Sequence, residues 1–146
     1  MSQVGKNKPV KVFLHCADTP DNTDKFDVGD VRRWHRSRGF TDVGYHWLIR
    51  RSGVLEKGRE EFTQGAHTKT HNSNSLGICY FGKNHPSQPQ IQTLLELYDR
   101  FMQLYGITYL DWYGHYEANP LKTCPGFDMN IFRRMLQEYH ANNNNK

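Results

Sequence analysis

Apolar positions in this chain fall into short runs and helical stripes that take turns along its length. Residues 11–15, KVFLH, form an apolar run of strand length. After Asp27, a plausible N-cap with Asp30 three residues on, Val28, Val31 and Trp34 or His35 recur at helical spacing, and Gly39 stops the pattern. Residues 44–51 are rich in β-formers, Ser52-Gly53 reads as a turn, and residues 54–57 return, which predicts a hairpin. Alternation in its first strand puts Tyr45, Trp47 and Ile49 on one face and His46 and Leu48 on the other. Residues 76–81 read as a buried strand. Ser87 and Gln90 form a capping box for a helix whose apolar face carries Ile91, Leu94, Leu95, Tyr98, Met102 and Tyr105, with Gly106 at its stop. Residues 108–113 predict a short strand, and Asp128 caps a last helix with Ile131, Phe132, Met135 and Tyr139 facing inward. The alternation predicts one α/β domain over residues 11–140: a central mixed β-sheet of about five strands flanked by about three helices, with a cleft at strand ends. The polar residues 1–10 are expected to form a loose arm and residues 141–146, ANNNNK, a frayed tail.

Composition narrows the function classes. Of 146 residues, 36% are hydrophobic and 13% aromatic, enough to fill the core of one domain. No apolar run approaches the roughly 18 residues of a membrane span, so no membrane partner is expected. Residues 1–10 lack the apolar core of a secretory signal, so synthesis in the cytoplasm is expected. The formal net charge of +4 permits an acidic polymer as partner without requiring one. No basic run of five or more residues occurs, nor any nucleic-acid reader motif, so no specific nucleic acid is expected. Three cysteines cannot all pair, which suits a reducing compartment, and eight histidines make metal binding worth testing.

Three residues stand at predicted strand ends or just beyond. His15 closes the first run, His115 follows the run 108–113 after a glycine, and Cys124 lies in LKTCPGFD. One thiolate and two imidazoles suit zinc, and three protein ligands leave a position open, as in catalytic sites. Spacing alone leaves a second reading open: two ordinary polar histidines and a buried thiol.

The neighbouring motifs add a resemblance. VFLHCADT, VRRWHRSRGFTDVGYHWLIRRSGVLEKGREE, GAHTKTHNSNSLGICYFG and HYEANPLKTCPGFD together resemble the zinc-dependent N-acetylmuramoyl-L-alanine amidases, a family that includes phage endolysins, those of T-odd coliphages above all, and animal peptidoglycan recognition proteins. The likeness runs from about Val12 to about Tyr139. It implies one Zn2+ ion held by His15, His115 and Cys124, with Tyr45 and Lys122 as catalytic residues and Cys16 and Cys79 as free thiols. Trp34, His35 and His67 are then expected to contact substrate, while His46 reads as a satisfied core histidine. The implied reaction is hydrolysis of the amide between the lactyl group of N-acetylmuramic acid and L-alanine in peptidoglycan, by a monomer that reaches the wall once the membrane is permeabilised. One departure is an extra residue between His115 and Cys124, expected to widen the loop before Lys122. A non-catalytic peptidoglycan-binding module is the alternative, and the presence of Cys124, Tyr45 and Lys122 together argues against it. The resemblance also raises inhibition of a phage RNA polymerase, a partner for which no residue of this chain speaks.

Overall fold

The computed structural model describes residues 6–40 and 42–144. One five-stranded mixed sheet organises them. Its strands are β1 (Lys11–Cys16), β2 (Trp47–Ile49), β3 (Leu55–Lys57), β4 (Ser75–Tyr80) and β5 (Trp112–Gly114), in the order β3-β2-β4-β1-β5. β1 lies between β4 and β5 and runs parallel to both; β2 is parallel to β4, and β3 alone is antiparallel. Such a strand, covered on both faces, reads as a continuous apolar run rather than an alternating one. That is why KVFLHC could be recognised: five of its six residues are buried.

The four helices are α1 (Val28–Ser37), α2 (Gln88–Tyr105), the single turn α3 (His115–Ala118) and α4 (Met129–Asn144). Two start where the capping boxes predicted. Asp27 and Asp30 exchange backbone and side-chain bonds at the start of α1, and Ser87 and Gln90 do the same for α2, which ends on Gly106 in the left-handed conformation, φ 70°. Helices α2 and α4 cover one face of the sheet. There Val12, Leu14, Leu76 and Ile78 meet Leu94, Phe101, Trp112, Phe132 and Leu136. On the other face Val31 of α1 joins Val43, Leu48, Cys79 and Phe81. Alternation along β1 therefore sends Val12 and Leu14 to the larger core and His15 to the opposite face.

Several expectations needed correction. Leu97 and Phe101 complete the buried face of α2, while Leu95, Met102 and Tyr105 only border it. In α4, Ile131 is exposed and Leu136 takes the inward place, because the helix contacts the sheet through Met129, Phe132 and Leu136. Residues 109–111 turn as a 3-10 helix before β5, so the last strand is shorter than the run 108–113. β2 begins only at Trp47, and Tyr45 joins the cluster of Leu48 and Cys79, not that of Trp47 and Ile49. Residues 6–10 are tied down, not loose: Lys6 bridges Thr63, and the buried Asn7 amide donates to the carbonyls of Glu61 and Ser75. Residues 141–144 continue α4. The rest of the arm and tail lies outside the described residues.

Candidate active site

The carboxyl ends of β1 and β4 open into a cleft of about 940 Å³. Parallel sheets place their sites at such ends. All eight residues singled out in the sequence line this one cleft: His15, Trp34, His35, Tyr45, His67, His115, Lys122 and Cys124.

The floor is buried. His15, only 1% exposed, sits opposite Cys79 in the β1–β4 register. Burial first, then the neighbouring His67 and His115, push its pKa well down, so its imidazole is neutral. Its ring lies 4.5 Å from that of His115 and 5.1 Å from that of Tyr45, centroid to centroid. Beside it, His67 has both nitrogens occupied, Nδ1 by Thr68 and His15 and Nε2 by Ser75. His46 is the satisfied core histidine anticipated: Nδ1 accepts from the Gly77 N–H, and Nε2 donates to the Thr63 carbonyl. Burial raises the pKa of the Tyr45 hydroxyl, with the thiols of Cys79 and Cys124 adding to the effect, and keeps it a phenol. His35 is buried, accepts the Gly44 N–H on Nδ1, and lies tilted against Tyr45 with ring centroids 5.3 Å apart. Trp34 stands at the rim, 38% exposed and tilted against Phe26.

The lip is the segment 115–126. His115 opens α3, and that turn is held from a distance: Glu117 accepts the Gly114 N–H and is clamped by both Arg133 nitrogens of α4, at 2.7 and 2.9 Å. The Tyr116 N–H donates to the Cys124 carbonyl, and the Tyr80 hydroxyl to the Pro125 carbonyl, at 2.5 Å. Leu121 points into solvent, 90% exposed, and Lys122 beside it is exposed along the cleft wall. The Cys124 sulfur lies 3.2 Å from that of Cys16. The sulfur–sulfur hydrogen bond with Cys16, then one with His115, pulls the Cys124 thiol down, and the Cys16 thiol moves up in exchange.

Two imidazoles and a thiol held toward its ionised form are a donor set that zinc accepts. Among the described residues, however, no three His, Cys, Asp or Glu side chains are grouped closely enough to enclose a cation. The Cys124 sulfur is turned to Cys16, and the Nε2 atom of His15 is engaged by His67 and Thr68. Sequence reasoning missed Thr68, although it follows His67 directly, because a lone threonine carries no spacing signal. It also missed Ser75 and Arg133, which act on residues far away in sequence.

A buried imidazole floor facing a cationic, thiol-bearing lip at the ends of parallel strands places the protein among α/β enzymes. Comparison narrows the class. The family described as N-acetylmuramoyl-L-alanine amidase matches residues 5–127, and the chain belongs to that family. The Endolysin of Escherichia phage T7 is 35% identical over 126 residues, 81% of each chain. The N-acetylmuramoyl-L-alanine amidase LysC from Clostridium intestinale URNW superposes with a TM-score of 0.79 at 25% identity, over 90% of this chain and 87% of that one. Peptidoglycan recognition protein-LE, solved with tracheal cytotoxin, a monomeric diaminopimelic acid-type peptidoglycan, gives a TM-score of 0.73 at 26% identity, over 97% of this chain and 85% of that one. Among the described residues no helix is long and apolar enough to cross a membrane.

Proposed function

We propose that this chain is a peptidoglycan hydrolase of the endolysin type, cleaving the amide between the lactyl group of N-acetylmuramic acid and L-alanine. The observation that carries this reading is the convergence of His15, His115, Cys124, Tyr45 and Lys122 on one cleft, in a member of the amidase family. His15, His115 and Cys124 would hold one zinc ion. Bound there, zinc would supply an acidified water and a Lewis acid for the scissile carbonyl.

The chain's own groups do the rest. Lys122 extends its ammonium to the carbonyl oxygen as negative charge grows on it, where a fixed cation is worth most. Tyr45, kept protonated by burial, orients the attacking water and passes a proton toward the leaving amine. The exposed face of Trp34 offers a platform on which a sugar ring can stack. The product is a stem peptide with a free L-alanine amino group.

Purified sacculi incubated with the protein, with and without a zinc chelator, test this by mass spectrometry of the soluble products. Stem peptides with a new L-alanine amino terminus, released only with metal, are expected. Equal release after complete metal removal would sink the zinc reading. Wall binding with no release would move the protein to the recognition modules.

A further inference from the structure

Behind His15 runs a chain of hydrogen bonds whose polarity can be worked out from its far end. The Ser75 hydroxyl lies 2.6 Å from the His71 carbonyl. A carbonyl only accepts, so the Ser75 proton is committed there. Ser75 Oγ, 3.4 Å from His67 Nε2, is then left as an acceptor, which places the His67 ring proton on Nε2 and leaves Nδ1 bare. Two atoms approach that bare nitrogen: Thr68 Oγ1 at 2.9 Å and His15 Nε2 at 3.1 Å. Thr68 Oγ1 is itself 3.2 Å from His15 Nε2.

One arrangement satisfies this triangle. The Thr68 hydroxyl donates to His67 Nδ1, and His15 donates from Nε2 into the same pair. Were His15 Nε2 bare, two nitrogen lone pairs would face each other at 3.1 Å with one hydroxyl proton to serve both. In a site where Thr68 and His15 are each 1% exposed, water cannot relieve that conflict. A neutral His15 with its proton on Nε2 has a lone pair only on Nδ1.

We propose that Ser75, His67 and Thr68 are positioning residues that set the tautomer of His15, fixing its proton on Nε2 so that Nδ1 is the nitrogen offered as a metal donor. The proposal rests on the reading of His15 as a metal ligand. The loop that carries the device is shaped for it. Asn72 Oδ1 accepts the N–H groups of both His67 and Thr68, at 3.0 and 2.9 Å. Gly77 leaves the space that the His67 ring occupies, for a Cβ there would stand 2.5 Å from His67 Cγ. Outer partners of metal-binding histidines fix tautomer and ring orientation in this way.

Long-range 1H–15N spectra of the metal-free protein near pH 7.5 read the tautomer directly, with the His15 signals assigned from the His15→Ala variant. Both His15 and His67 are expected as the Nε2–H form. A His15 ring protonated on Nδ1 would overturn the proposal. Zinc affinity, measured by competition with a chromophoric chelator, supplies the second readout. Thr68→Val, which removes the hydroxyl and keeps the shape, is expected to weaken zinc binding by about 10- to 100-fold, and Thr68→Ser to restore it. Wild-type affinity in Thr68→Val, with affinity lost in His15→Ala, would overturn the positioning role alone. Wild-type affinity in His15→Ala would instead overturn the ligand reading, a separate failure.

Discussion

The floor and the lip of the cleft are built by different means. On the floor, His15, His67 and Cys79 stand on or against two neighbouring parallel strands and are buried, with both ring nitrogens of His67 and the Nε2 atom of His15 engaged by protein partners. On the lip, Lys122 and Leu121 project from a loop, and order is imported from outside it through Arg133 on Glu117 and Tyr80 on Pro125. In the proposed mechanism, the fixed imidazole sits on the sheet and the reaching cation on the loop. The contrast agrees with the general placing of binding groups on loops over a rigid scaffold.

The widest gap between the two regions should open at Lys122. Lys122→Ala is expected to lower the rate of stem-peptide release by about 10²–10³-fold while thermal stability holds. Equal losses of rate and stability would break the contrast. On the floor the sign reverses. Gly77→Ala drives a Cβ into the His67 ring and is expected to destabilise by about 1–3 kcal/mol, read as a lower urea midpoint.

Acid should likewise find the floor first. Burial holds the folded pKa of both His46 and His67 below 6.5, the ordinary value of a free imidazole. The unfolded chain therefore binds more protons once the pH drops below 6.5, and the stability present above that value is lost as pH falls. Each histidine contributes at most about 1.4 kcal/mol per pH unit between its folded pKa and 6.5. Urea midpoints of metal-free protein at pH 7.5 and 5.5 measure the loss, and identical midpoints would refute it. The smallest effect belongs to the lip: Leu121→Ser should change stability by less than about 0.5 kcal/mol, checked by the same unfolding curve.

How much was legible beforehand follows the same division. β1, the two capping boxes and the Gly106 stop were visible because each is a local pattern. The side on which Tyr45 lies was not, since alternation holds only inside a strand and β2 starts two residues later. Ile131 misled because helical spacing finds an apolar stripe without saying which edge meets the sheet. The cleft residues were found by chemistry and resemblance. Thr68, Ser75, Arg133 and Asn7 were not, because what they do depends on partners that only the fold supplies.

The central place of β1 also governs when the cleft can exist. It pairs with β4 and β5, and Cys16 at its end meets Cys124, a partner 108 residues away in sequence. Contacts of such separation form slowly, because loop closure comes before any gain from pairing. During synthesis the floor segment emerges early and waits for the lip. No shortened chain that stops before Cys124 can assemble this cleft, so hydrolytic competence arrives in one late step rather than growing with the chain.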